Sequence, residues 1–326
     1  MVKNIIIFFA VLSVIVIVFI IGKEIHKKFA NIDYEINMAN VVEKPYRCLV
    51  CFIGQTRAAE LTWTRFRKHV LDVINPLGVT DIALSISKDK NNVNILYENA
   101  KYIWEFDEPS DIGVCFEYAA NNYYNIFDQS WRDILKIGGM WLGGISDPIF
   151  VHDTRSSIMT FYRWYLFYNM MKENIIDNYD WFIITRSDNY YIKDHLSLSY
   201  IDSKYGNKIL IPKGEDYGGI CDRHIICHSS YVKDVIDLMS PIMKKTGQLI
   251  QIMKNRIDWN NESYQKLIFD IRGINKRVIR IPRVMFLVRA VGGVTNHSVG
   301  EYNNRYKLMV KYPSELKEAE QTLTIF

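Results

Sequence analysis

The run Arg47–Gly54 (RCLVCFIG) is almost wholly apolar. It is followed by Leu61, Phe66, Val70, Val73 and Ile74 at helical spacing, then by a break at Asn75-Pro76. In residues 80–87, Ile82, Leu84 and Ile86 then alternate with Ala83, Ser85 and Ser87. Strand, helix and strand in that order commit the chain to a parallel sheet with helical crossovers, an α/β fold. Further strands are predicted at residues 180–185, 208–212, 277–281 and 284–288, and helices at 156–172, 230–239 and 241–255. Residues 96–150, with an extended YIWEFDEP and a glycine-rich GGMWLGGISDP, offer no pattern that places them.

With 49% hydrophobic and 23% charged residues, the chain can build a large core, which excludes disordered and collagen-like classes. The net charge of +4 is spread over the whole length and is not massed on one face, so no nucleic-acid partner is expected. Cysteines 48, 51, 115, 221 and 227 are odd in number and lack paired metal-ligand spacing, so they read as free buried thiols. Cys48 and Cys51 fall in one strand, three residues apart, and point to opposite faces.

Residues 4–22 carry no charge and are dense in Ile, Val and Phe, enough for roughly 28 Å of helix at about 1.5 Å per residue. We expect an uncleaved single-pass anchor at residues 1–22, a polar stem at 23–45, and one domain at 46–326. A cleaved signal peptide would have a shorter apolar stretch ending at small residues. Lys23, Lys27 and Lys28 follow the segment and only Lys3 precedes it, which favours the cytoplasmic side for the bulk of the chain.

The strand WFIIT runs directly into Arg186-Ser187-Asp188-Asn189. In open parallel sheets, ligands bind beyond the carboxyl ends of the strands. A carboxylate there can hold a divalent cation that bridges phosphate oxygens, and an arginine can bind the same oxygens through its planar fork. The alternative is that Arg186 and Asp188 cap the strand and pair with each other. Arg163 is the only charge in an otherwise apolar or aromatic helix, so it needs a carboxylate or phosphate partner. The aromatics Tyr162, Trp164, Tyr165, Phe167 and Tyr168 read as core, with a sugar-stacking platform as the alternative.

Four pieces stand in order: Gly54-Gln55-Thr56-Arg57, Tyr179 through Asp188, Tyr217-Gly218-Gly219-Ile220-Cys221-Asp222-Arg223, and Asn261-Glu262-Ser263. Together they resemble the GT-A class of nucleotide-sugar glycosyltransferases. More narrowly they are similar to a branch found in large DNA viruses, fungi and algae, in which a tRpD-like element replaces DxD. Ser187 stands where that branch often has Pro, and Arg186 where a DxD has its first acid.

The resemblance implies a single Rossmann-like, mainly parallel GT-A domain that moves a sugar from a nucleotide-sugar donor to a glycan or protein acceptor. It implies Mn²⁺ or Mg²⁺ on Asp188, with His297 as a second ligand, and Gly54, Arg57, Arg186, Gly218, Gly219 and Arg223 around the donor. Glu262 would be the acceptor base, or Asp222 in its place; an ordinary helix start is the other reading of Asn261-Glu262. The alternative function is a non-catalytic anchored glycan-binding or virion surface protein that retains the fold.

Sequons at Asn261 and Asn296 lie beside these candidates, and a glycan there would obstruct an acceptor. That favours a cytoplasm-facing membrane such as a viral factory over the endoplasmic reticulum or Golgi lumen.

Overall fold

The computed structural model describes residues 17–22, 42–88, 94–147, 154–290 and 300–322. Residues 43–321 form one compact unit. Outside it, residues 17–22 are helical. Most of the expected anchor at residues 4–22 lies outside the described residues, among which no helix is long and apolar enough to cross a membrane. The end of the expected stem belongs to the body: the Lys44 amide donates to Ser199 Oγ at 2.8 Å and Tyr46 Oη to Asp202 at 2.7 Å.

In chain order the described strands are β1 (Arg47–Gly54), β2 (Val79–Ser87), β3 (Tyr102–Phe106), β4 (Trp181–Thr185), β5 (Asn189–Tyr191), β6 (Ile209–Pro212), β7 (Ile225–His228), β8 (Val278–Ile281), β9 (Met285–Arg289), β10 (Glu301–Asn303) and β11 (Leu308–Val310). Seven of them make one sheet in the order β3-β2-β1-β4-β7-β6-β8, a mixed α/β architecture that is mainly parallel. Only β7 runs against its neighbours, pairing antiparallel with β4 and β6. The described part of β1 is buried from Cys48 to Gly54, as expected of a central strand covered on both faces.

The helix α1 (Ala59–Phe66) continues through a π turn at Arg67–Leu71 before the chain returns to β2. Helix α2 (Ile158–Lys172) is buried around most of its circumference, and Trp164, Tyr162 and Phe167 sit in the main core. The five cysteines are free and buried.

Sequence patterning missed β5, β7, β10 and β11, and so did not show that the expected strand at 284–288 belongs as β9 to a second, antiparallel sheet, β10-β11-β9-β5. The missed strands are three or four residues long and offer little alternation to read. The second sheet has its own small core, in which Tyr190, Phe286, Val288, Leu308, Val310 and Leu316 pack under helix α4 (Pro313–Gln321). Glu315 of α4 is 1% exposed. It accepts the Leu287 amide at 2.9 Å and pairs with Arg283 and Arg223, each at 3.1 Å.

Glu315 is therefore a buried charge shared by two guanidinium groups, and removing it takes the most buried carboxylate partner from both. We expect Glu315→Ala to cost about 3–5 kcal/mol of stability. The check is a urea-unfolding midpoint; a loss under about 1 kcal/mol would show that the pair is dispensable.

Candidate active site

Three chain segments converge at one end of the main sheet, and the strand directions dictate which. Strands β1 and β4 are parallel, with Phe52 opposite Thr185, so Gly54 and Arg186 emerge at the same edge. Because β7 is antiparallel and Ile225 pairs with Ile184, the residues just before it, Asp222 to His224, arrive at that edge from the opposite direction. A cavity of about 480 Å³ lies there, and its wall includes Gly54, Arg57, Arg186, Asp222, Arg223 and Glu262.

Gly54 has φ +103°, and a side chain there would face open space, so the glycine is required by the backbone turn out of β1. The turn between β4 and β5 is tied down by its middle residue. Ser187 Oγ donates to the Gln55 carbonyl at 2.7 Å, and the Ser187 carbonyl accepts from Thr62 Oγ1 at 2.6 Å. Proline at position 187 would lack that hydroxyl.

Asp188 is 2% exposed. Arg186 grips it through two bonds, Nε to Oδ1 at 2.9 Å and the terminal nitrogen to Oδ2 at 2.7 Å. Arg289, at the end of β9, takes Oδ2 as well. Burial alone would raise this carboxyl, but the charges of Arg186 and Arg289 override it and hold it well below the usual carboxylate range. The pairing of Arg186 with Asp188 is thus present, but buried rather than exposed as a strand-end cap.

Arg57 also lines the cavity, and burial together with Arg289 lowers its pKa. Lys311, just past β11, is a further wall residue. Its amine is pushed down to about 7 by burial and then by Arg186 and Arg289.

Sequence reading did not single out Arg289 or Lys311. The available signal was the one used for Arg186: a charge closing an apolar run, here Phe286-Leu287-Val288-Arg289 and Leu308-Met309-Val310-Lys311. The fold brings the two together because Met309 pairs with Arg289, and the Lys311 amide donates to Leu287 at 2.8 Å.

These residues do not fit a divalent cation at Asp188. Both carboxylate oxygens are taken by guanidinium groups, and Arg57 and Lys311 add like charge nearby. Among the described residues no group of three or more His, Cys, Asp or Glu is arranged to hold a metal. His297 and Asn296 lie outside the described residues.

The opposite wall is carried by helix α3 (Asn261–Ile271). Asn260 caps it by accepting the Ser263 amide at 2.8 Å while Ser263 Oγ accepts the Asn260 amide at 3.0 Å, so the cap needs nothing from Glu262. The Glu262 carboxylate instead stands in the cavity wall, 3.8 Å from Arg223. A helix start by itself lowers a carboxylate's pKa. Here burial first, then the Asp222 charge, raises Glu262 to about 7, against partial relief from Arg223 and Arg163.

Arg223 is held between the rings of Tyr217 and Tyr312, 5.6 and 5.1 Å from their centres, and pairs with Glu315. Arg163 makes no salt bridge among the described residues. It donates to the Asp222 carbonyl at 2.7 Å and to Gln265, so it fixes the segment carrying Asp222. Asn261 Nδ2 donates to the Ser156 carbonyl at 2.8 Å, which makes that sequon part of the cavity wall.

Gly218 and Gly219 are not among the residues lining the cavity. Gly219 packs on the start of α3, where a Cβ would fall 2.0 Å from the Glu262 carbonyl oxygen, and the Ile220 amide donates to that oxygen at 3.0 Å. Gly219 therefore sets the distance between the Asp222 segment and Glu262. Of the aromatics in α2, Tyr162 reaches the cavity and hydrogen-bonds Glu108 at 3.1 Å.

No family model matches the chain, and no curated protein does. Among solved structures, mouse xyloside xylosyltransferase 1 in its apo form is similar at a TM-score of 0.38 and 10% identity, over 73% of this chain and 85% of that one. The description of the fold rests on the strand order and register given above.

Two substitutions separate positioning from solvent exposure. Gly219→Ala should cost about 1–3 kcal/mol, because backbone must move to admit the methyl group. Gly247→Ala, with nothing within 4 Å in helix Thr246–Met253, should be neutral or slightly stabilising. Equal melting temperatures for both variants would contradict this packing account.

Proposed function

We propose that this protein is a glycosyltransferase of the GT-A type, moving a sugar from a nucleoside-diphosphate donor to a hydroxyl of a glycan or protein acceptor. One observation carries the reading: a single cavity is lined both by the carboxyl of Glu262, raised to about 7, and by Arg57, Arg186 and Lys311. A sugar transfer needs both a site for a leaving diphosphate and a base for the acceptor proton.

In the reaction the acceptor oxygen forms a bond to the anomeric carbon. The bond from that carbon to the diphosphate oxygen breaks, and its electron pair leaves with the phosphate. The acceptor proton passes to Glu262. An inverting displacement is the course that uses a base so placed. Asp222 raises the basicity of Glu262 through its charge, and Arg223 fixes the carboxylate against the two tyrosines. Attachment to a membrane through residues 4–22 belongs to the same proposal, supported by the uncharged run in the sequence. The non-catalytic alternative gives no reason for a carboxyl tuned to neutral pH inside the cavity.

A base must be deprotonated, so the limb of kcat/KM that Glu262 governs should rise as pH rises through about 7. Asp222→Asn removes a charge that raises Glu262, so the rising limb should move to lower pH. Glu262→Gln should reduce transfer by about 10² or more while leaving donor binding within a few-fold. These rates are read from release of nucleoside diphosphate with UDP-, GDP- and dTDP-sugars in turn. Wild-type transfer by Glu262→Gln would remove the base assignment, and failure of every donor to bind would remove the reading as a whole.

A further inference from the structure

Four positive side chains, Arg57, Arg186, Arg289 and Lys311, surround one carboxylate, Asp188. Arg186 and Arg289 already hold both of its oxygens. Among the described residues Arg57 makes no hydrogen bond or ion pair, and Nε and one terminal nitrogen of the 2% exposed Arg289 have no partner. Arg57, Arg186 and Lys311 line the cavity together, so an arriving anion would meet three cationic side chains there, one of them unpaired. A cation arriving at the same place would have to strip two guanidinium groups from Asp188 and remain among like charges.

We infer that Arg57, Arg186 and Lys311 themselves take the diphosphate of the donor and neutralise the departing phosphate, in the place a divalent metal would otherwise occupy. Arg289 is a positioning residue: it stands behind Asp188 and keeps that carboxylate turned to the arginines. The inference rests on the glycosyltransferase reading for the identity of the substrate, but the anion site stands on its own geometry. Fixed guanidinium donors serve the leaving group as a metal does, because they are in place before charge develops and need no reorganisation when it does. The bond broken is the one between the anomeric carbon and the phosphate oxygen, whose electron pair stays on that oxygen beside Arg57, Arg186 and Lys311.

The test is titration calorimetry of the full chain with inorganic pyrophosphate and with UDP, once in EDTA and once in excess Mn²⁺. Affinity in EDTA should lie within about threefold of that in Mn²⁺, and Lys311→Met and Arg57→Gln should each weaken it about tenfold or more. Asp188→Asn should still bind pyrophosphate in EDTA, weakened about tenfold or less by the lost alignment of Arg186, since the cations and not the carboxylate take the anion. If that variant fails to fold, the lysine and arginine variants carry the decision.

Binding that vanishes in EDTA and returns about tenfold or more with Mn²⁺ would overturn the inference while leaving the glycosyltransferase reading intact. Pyrophosphate binding in EDTA with no turnover of any nucleotide sugar would support the cationic clamp and remove the glycosyltransferase reading. Absence of pyrophosphate binding under both conditions would overturn the clamp.

Discussion

The buried carboxylate of Asp188 between Arg186 and Arg289 is the interaction on which the site depends. It joins the turn after β4, in the main sheet, to the end of β9, in the small one. The same residue contributes its carbonyl to the Val288 amide at 2.9 Å, so side chain and backbone make the connection together. A lone buried carboxylate would be expelled or protonated; two guanidinium partners let it remain charged. The small sheet and α4 then close around that ion cluster, and Lys311 and Tyr312 reach the cavity from there. Asp188 so placed organises cations for an incoming anion.

The second wall obeys a different constraint. Backbone contact at Gly219 locks the Asp222 segment to the start of α3, and the capping box of Asn260 and Ser263 leaves Glu262 free of structural duty. Desolvation and a neighbouring carboxylate then do to Glu262 what a base near neutral pH requires. The two walls differ because one gathers Arg57 and Arg186 from strand ends of the main sheet and Lys311 from the small one, and the other is a helix start whose carboxylate Arg223 only partly compensates.

The long elements were legible in the sequence because periodicity over eight or more residues survives local noise: β1, β2 and α2 fall within one or two residues of their expected bounds. The three-residue strands β5, β10 and β11 carry too few alternations to read, and the antiparallel placement of the four-residue β7 is set by tertiary contacts alone. Among site residues, Arg186 and Asp188 could be singled out because they follow an apolar run, and Asp222 and Glu262 only through the resemblance carried by their flanking motifs. Their chemistry was less accessible. Whether Asp188 faces a metal or two guanidinium groups depends on Arg289, about a hundred residues away in sequence, and the pKa of Glu262 depends on Asp222 and burial. The glycine pair was read as a ligand-facing loop, since a sequence gives no sign of which backbone a glycine approaches.

The central claim is that phosphate meets arginine and lysine while Asp188 stays committed to its two guanidinium partners. A crystal structure of the full chain soaked with a nucleoside diphosphate and Mn²⁺ tests it most directly. The account predicts phosphate oxygens on Arg57, Arg186 and Lys311, with Asp188 still gripped by Arg186 and Arg289. An anomalous manganese peak about 2.2 Å from an Asp188 oxygen, bridging to phosphate with Arg186 displaced, would contradict it.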